Sequence, residues 1–425
     1  MNRRVFLKAG GLSLVTLGLT PSFLRRTALA MDLPRAARGK TLIVLFQRGA
    51  ADALNVVVPF GDAHYYAARP QLAIGSPARV TGAAGAIDLD GYFGLHPALS
   101  PLKPLWDRGL LSPIHAVGSP SSTRSHFDAQ DYMETGTPDR KGTPDGWLNR
   151  YLAVQGTCEA CAAGEKPKNT PFRAVAMTTQ MPRILEGPSA TVAMNSIEEF
   201  SIRTSGGEAE KRLEALYRTG SADMVHGSGT EMFEALRVLR SANPQQYKPA
   251  AGIEYPKSQF GQRLLSIAQL IKAGVGLEVA FADIGGWDTH VNQGGAQGQL
   301  AQRLGDFSSS IAALVADLGD RMDDVVILTM SEFGRTVKQN GTGGTDHGHA
   351  GAMFVIGGSL KAPRKVLGRW PGLAPEQLYE GRDLALTTDF RSVFSELASK
   401  HLGAGSLDRI FPGYATPERN WLGVL

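Results

Sequence analysis

Four clusters in the chain combine residue types that can do acid–base or metal chemistry. Arg48 and Asp52 follow a first apolar run. Arg124-Ser125-His126-Phe127-Asp128 comes second, with Asp131 and Glu134 a helical turn and more beyond. Asp288 and His290 form the third. In the fourth, a short glycine-rich stretch joins Glu332 and Arg335 to Asp346, His347 and His349. Asp, Glu and His together offer hard oxygen and borderline nitrogen donors, which suit Zn²⁺, Mn²⁺ or Fe better than a Mg²⁺ site built mostly of oxygens. Neighbours Asp346 and His347 point in different directions in extended backbone, so they can serve two ions, or one ion and its surroundings. Glycines at 341, 343, 344, 348 and 351 let the chain turn sharply there. Any one of these residues is as readily a satisfied surface group, and Asp52 alone is an ordinary turn residue after a strand. Each cluster follows an apolar strand-like run, and that repetition makes the set informative.

Ser125 is the candidate nucleophile. At the start of a helix its hydroxyl can attack an electrophile while the free amides hold an anion. Its plainer role is to cap that helix. No Gly-x-Ser-x-Gly elbow occurs at a strand–helix junction, and neither a nucleotide-binding Gly-x-x-x-x-Gly-Lys-Ser/Thr loop nor a dinucleotide fingerprint is present. Nucleotide-powered and hydride-transfer chemistry therefore have little support.

The elements that must position these clusters alternate in type. Thr41 to Phe46, Leu111 to Val117, Phe172 to Met177, Glu278 to Ile284, Val325 to Met330 and Ala352 to Ile356 read as buried strands. Leu54 to Val58 reads as a further short strand. Helical spacing marks Pro97 to Arg108, Ser125 to Glu134, Glu210 to Tyr217, Met232 to Leu239, Phe260 to Lys272, Gln297 to Leu318 and Asp389 to His401, the last with Thr388 as N-cap. Residues 61 to 94, rich in Gly, Pro and Ala, read as a surface excursion. The alternation predicts an α/β fold, a mainly parallel sheet flanked by helices. The polar clusters then fall at the C-terminal ends of strands, where open α/β sheets place ligands.

The N-terminus begins with Arg3-Arg4, continues through an apolar stretch from Leu12 to Leu24 and closes on Ala28-Leu29-Ala30. Those are the parts of a twin-arginine export signal. The stretch is too short, and too interrupted by Gly18 and Pro21, to read as a membrane span. Removal of residues 1–30 is expected to leave residues 31–425 as one α/β domain with insertions, in the periplasm or otherwise exported. The excess of basic residues, 44 against 40 acidic, falls mainly in the leader; without it 39 basic residues face 40 acidic ones. Charge therefore gives no reason to expect a nucleic-acid or lipid partner. Cys158 and Cys161, the two cysteines, are expected to close a small disulfide loop in an oxidising compartment.

These motifs carry a resemblance. Leu45-Phe46-Gln47-Arg48-Gly49-Ala50-Ala51-Asp52, Arg124-Ser125-His126-Phe127-Asp128, Gly286-Trp287-Asp288-Thr289-His290, Ser331-Glu332-Phe333-Gly334-Arg335-Thr336 and Asp346-His347-Gly348 are similar to those of the bacterial family of unknown function numbered 1501. More distantly, the pattern resembles the alkaline phosphatase and sulfatase superfamily, which implies a three-layer sandwich. That resemblance implies a metal-dependent hydrolase of phosphate or sulfate esters, with a divalent metal, Zn first and Mn, Ca or Fe as alternatives. The alternative is a non-catalytic exported binding or assembly protein that keeps a degenerate metal site. Asp52, Asp288, His290, Glu332, Asp346, His347 and His349 would be the metal ligands. Ser125 would attack, His126 or His349 would protonate the leaving group, and Arg48, Arg124 and Arg335 would hold the anionic ester oxygens. The implied partners are an anionic small-molecule or glycan ester and, during export, the twin-arginine translocon. One departure stands out: the late strand ends in Ser331-Glu332-Phe333-Gly334, and an Asp-His-Gly appears only at Asp346.

Overall fold

The strand Thr41–Gln47 (β1) is buried along its whole length, and parallel strands lie on both sides of it. The computed structural model describes residues 39–78, 84–156, 171–198, 236–361, 364–415 and 417–425. The export signal, the Cys158–Cys161 pair and the Glu210 to Tyr217 helix expected from the sequence lie outside these residues.

The remaining strands are Val57–Val58 (β2), Ile87–Asp88 (β3), Gly94–Leu95 (β4), Leu111–Gly118 (β5), Ala174–Met177 (β6), Val192–Ala193 (β7), Val279–Ile284 (β8), Val325–Met330 (β9), Gly351–Gly357 (β10) and Thr388–Asp389 (β11). Seven of them join β1 in the main sheet, in the order β11-β5-β10-β9-β1-β8-β6-β7, and β2, β4 and β3 form a small antiparallel sheet. In the main sheet β10 runs against both of its neighbours, and the other pairings are parallel. The expectation of a mainly parallel sheet flanked by helices holds.

The helices that position the site are His126–Thr135 (α1), Trp147–Gly156 (α2), Gln259–Ala273 (α3), Gln299–Leu318 (α4) and Phe390–Glu396 (α5). Side chains alternate across a strand, so β1 feeds two cores. Ile43 and Leu45 pack with Leu264 and Ile267 of α3 and with Leu300, Leu304, Phe307 and Ile311 of α4. Leu42, Val44 and Phe46 pack with Trp147 and Leu148 of α2 and with Val393 and Phe394 of α5. The result is a three-layer sandwich, helices–sheet–helices.

Three boundaries differ from the sequence reading. Ala53–Val56 makes one helical turn where strand was expected, because Asn55 and Val56 N–H both return to the Asp52 carbonyl. Asp389, not Thr388, caps the late helix, since its carboxylate accepts from Arg391 N and Thr388 pairs in β11. The supposed surface excursion holds fully buried Tyr65 and Arg69. Among the described residues no helix is long and apolar enough to cross a membrane.

Candidate metal centre

β9, β1 and β8 are parallel neighbours, so the segments that leave Met330, Gln47 and Ile284 emerge at one edge of the sheet. β5 runs in the same sense as β9, since β10 opposes both, and the segment from Gly118 to α1 emerges there too. Four stretches distant in sequence are thereby brought to one point. Glycine is required where they touch backbone to backbone. Gly49 has φ +115°, and a Cβ on it would lie 2.7 Å from the Asp288 nitrogen; a Cβ on Gly344 would lie 2.3 Å from the His290 carbonyl oxygen.

At that point His126, Asp288 and His347 each place a donor atom within 4.8 Å of the others. His347 Nε2 lies 3.0 Å from His126 Nε2, 2.9 Å from His290 Nε2 and 3.3 Å from Asp288 Oδ1. Asp288 Oδ1 is 3.0 Å from His290 Nε2, and Oδ2 is 3.5 Å from His126 Nε2. Donors held about 2.1 Å from one ion, at angles between a right angle and the tetrahedral value, are about 3.0 to 3.4 Å apart. The spacings within His126, Asp288 and His347 suit ligands around a single cation, and His290 adds a nitrogen beside His347 and Asp288.

The partners behind the rings decide what these nitrogens present. His126 Nδ1 faces Glu332 Oε1 at 2.9 Å, His290 Nδ1 faces Asp346 Oδ1 at 3.0 Å, and His347 Nδ1 faces the Arg124 carbonyl at 2.8 Å. Each is an acceptor, so each neutral imidazole carries its proton on Nδ1 and turns the Nε2 lone pair inward. Lone pairs and a carboxylate meeting at such distances repel one another unless a cation, or a proton held on one ring, lies between them. The Glu332 hydrogen bond raises the His126 pKa and favours such a proton in the absence of an ion.

Electrostatics reinforce the arrangement. Burial pushes the Glu332 carboxyl up, but hydrogen bonds from His126, Gln130 and Gly49 outweigh it and hold the group below the usual carboxylate range. Burial also opposes ionisation of Asp288, and the Arg335 hydrogen bond overcomes it. Asn340, opposed by burial and joined by His290, holds Asp346 low. Burial is the largest cause that lowers the His347 pKa, with the charges of His126 and Arg335 acting in the same direction. The His126 and His347 rings both pack on Phe333, centroids 5.0 and 5.1 Å away, which fixes their planes.

Several residues expected here are elsewhere employed. Asp52 is fully buried, with both oxygens on Arg69, at 2.6 and 2.9 Å, and a third bond from Gln293 Nε2 at 2.7 Å. Its carboxylate is neutralised by an internal guanidinium, so it is not a metal donor. Glu332 and Asp346 stand behind His126 and His290, on the Nδ1 side of the rings rather than among the facing Nε2 atoms. His349 stacks on Tyr379 at 4.2 Å, apart from the convergent nitrogens. His126, expected to protonate a leaving group, has Nδ1 on Glu332 and Nε2 in the cluster, and the Glu332 hydrogen bond raises its pKa above the usual histidine value.

The three arginines expected to bind an anion are committed to carboxylates. Arg48 bonds Asp283 and Glu134, and Arg124 bonds Asp383 and Glu380. Arg335 is buried; it bonds Asp288 Oδ1 and the carbonyls of Gly49, Ala50, Trp287 and Thr345. Ser125 is exposed and caps α1, its Oγ accepting from Asp128 N at a long 3.5 Å.

Sequence reasoning missed Arg69, Gln293, Gln130 and Phe333. Gln293 bridges Asp52 to Thr289 and Thr345, whose neighbours are His290 and Asp346. The one available signal was a glutamine four residues past Thr289 with no loop role of its own.

Comparison with known proteins fits this geometry into a family. The family described as "Protein of unknown function (DUF1501)" matches residues 114–409. The chain belongs to that family. The DUF1501 match takes in His126, Asp288 and His347, the group that could hold an ion, and His290 beside them. No curated protein matches the chain. Two solved structures are similar at 10% identity: the lipoteichoic acid synthase LtaP from Listeria monocytogenes, with TM-score 0.33 over 80% of this chain and 72% of that one, and the PsFucS1 sulfatase from Pseudoalteromonas sp., with TM-score 0.35 over 96% and 75%. Likenesses this slight assign neither fold nor function, and the architecture stands on its own strands and helices.

Proposed function

We propose that this DUF1501 protein is a metal-dependent hydrolase of phosphate or sulfate esters, a single α/β domain that works in the periplasm or beyond after twin-arginine export. The observation that carries the reading is the convergence of His126, Asp288 and His347 at the C-terminal edge of the sheet, their donor atoms within 4.8 Å of one another, with His290 Nε2 beside His347 and an acceptor behind each ring. Three nitrogens and a carboxylate suit Zn²⁺, Mn²⁺ or Fe; Ca²⁺, which takes oxygen ligands, does not fit the donor set. Such an ion would supply positive charge to polarise an ester oxygen and lower the pKa of an attacking hydroxyl.

The chain's own groups do the rest. His126, His290, His347 and Asp288 would hold the ion, and Glu332, Asp346 and the Arg124 carbonyl orient the three rings. Ser125, next to His126 and exposed, supplies the attacking hydroxyl; its weak cap uses an oxygen lone pair and leaves the hydroxyl proton free to depart. The side chain of Asp288 remains 44% exposed, so an ester can reach the centre without displacing protein.

Metal analysis of the purified exported form, followed by hydrolysis assays across aryl phosphate and sulfate esters, tests the reading. One transition metal per chain is expected, lost in His347→Ala together with all hydrolysis. Ser125→Ala keeps the metal and loses turnover. A fully metallated protein inert toward the whole panel would favour the non-catalytic binding role, a reading the committed state of Arg48, Arg124 and Arg335 also supports.

A further inference from the structure

Among the described residues the large hydrophobic side chains that stay exposed are Phe127, at 88%, and Val291, at 52%. Solitary exposed apolar side chains are ordinary. These two are placed alike: Phe127 directly follows His126, and Val291 directly follows His290. Those histidines present Nε2 atoms 3.0 and 2.9 Å from the same His347 Nε2. Consecutive Cα atoms are about 3.8 Å apart, so both residues stand at the rim of one centre, on two different segments, with their side chains open to solvent.

The charges around that rim point the same way. Asp288, Glu332 and Asp346 contact the three rings, and Arg335 offsets one of them. A divalent ion brings that group to neutrality. Arg48 and Arg124 are each held by two carboxylates. Arg382, the next guanidinium out, donates to the His347 carbonyl and leans on Asp383. Each of these guanidiniums has a carboxylate partner, so direct contact with the ion is the attraction left for one ester oxyanion, and none of them is spare for a second.

We infer that the ester bound here carries one negative charge and a sizeable apolar substituent that lies against Phe127 and Val291: an alkyl or aryl sulfate, or a phosphate diester, rather than a dianionic phosphate monoester. The inference deepens the hydrolase reading and rests on it. Its shared chemistry, a singly charged oxyanion joined to an apolar group, is met by sulfonates, which cannot be hydrolysed at that position.

The test is calorimetric titration of metal-loaded protein with methane-, butane- and hexanesulfonate, and with hexylphosphonate at pH 8.5. A methylene fully buried by the rim tightens binding about fourfold, so hexanesulfonate is expected to bind at least about tenfold more tightly than methanesulfonate. In Phe127→Ser/Val291→Ser the chain-length dependence flattens, while metal content and methanesulfonate affinity stay at the wild-type level. Affinity independent of chain length in the wild type overturns the apolar rim, and tighter binding of hexylphosphonate than hexanesulfonate overturns the single charge. Turnover of hexyl sulfate against methyl hexyl phosphate then separates the two sources. Length-dependent sulfonate binding with no ester turned over removes the hydrolase reading and leaves the rim in place. Phosphate monoester turnover without length dependence does the reverse.

Discussion

Arg335 Nη2 lies 2.5 Å from Asp288 Oδ1 and also meets the Gly49 and Trp287 carbonyls, while Nε and Nη1 close on those of Ala50 and Thr345. One buried side chain thus ties together the segments after β1 and β8 and the stretch that leads into His347. Lysine has three donors and no planar fork, so it cannot span these carbonyls. Arg335→Lys is expected to lower stability by about 3–5 kcal/mol, the scale for removing one partner of a buried pair. Urea denaturation of metal-free protein measures this, and a midpoint and slope equal to wild type would show the staple to be dispensable.

Asp52 and Arg69 form a pair with no exposure on either side. Asp52→Asn or Arg69→Met leaves the other charge buried alone, at a cost of about 3–5 kcal/mol. The double variant removes both charges and should recover most of that loss. Metal bound per folded chain stays unchanged throughout, because Asp52 faces Arg69 and Gln293 rather than the ion. If Asp52→Asn instead halved the metal content at undiminished stability, Asp52 would be a ligand after all.

Glu332 accepts from His126 Nδ1, Gln130 Nε2 and Gly49 N on one oxygen. Its charge makes the His126 ring a stronger donor and fixes its tautomer. Glu332→Gln keeps the shape and loses the charge. Metal affinity should fall about 10- to 100-fold, the usual effect of such partners, as read by competition with a chelator. Equal affinity in the two proteins would mean that ring packing on Phe333 alone orients His126.

The contrast between Asp288 and Asp52 shows what was legible in the sequence. Both are acids that follow a buried strand, and nothing local separates them. What separates them is Arg69, which arrives from a Gly- and Pro-rich segment without any periodic pattern. Strands such as Val325–Met330 were readable because burial on both faces demands an unbroken apolar run. The mainly parallel sheet flanked by helices followed from the alternation of such runs with helices. His126, His290 and His347 were visible as residue types, but their sorting into donors and supporting partners was not. That sorting depends on which oxygen stands behind each Nδ1, a relation made across 56 to 223 residues of chain.

Two histidines away from the centre make the fold acid-sensitive. His115 donates from Nε2 to the Val57 carbonyl at 2.9 Å and accepts from Ala116 N at Nδ1; His401 Nε2 faces the Thr41 carbonyl at 2.9 Å. Both rings are therefore neutral, and burial holds each down to about 4. An unfolded histidine takes its proton near about 6.5. Between those values the unfolded chain binds more protons than the folded one, so stability is full above about 6.5 and falls as pH drops toward 4. Each histidine contributes at most about 3 kcal/mol of that loss. His115→Phe removes one of the two titrations. Its free energy of unfolding, measured in urea with chelator present so that metal does not contribute, should depend less steeply on pH between 6.5 and 4.5, by up to about 1.4 kcal/mol per pH unit. The variant will be less stable overall, since Val57 and Ala116 lose a partner, but that loss is constant across the range. Only the slope tests the titration, and a slope equal to that of the wild-type protein would show that His115 already binds its proton in the folded state.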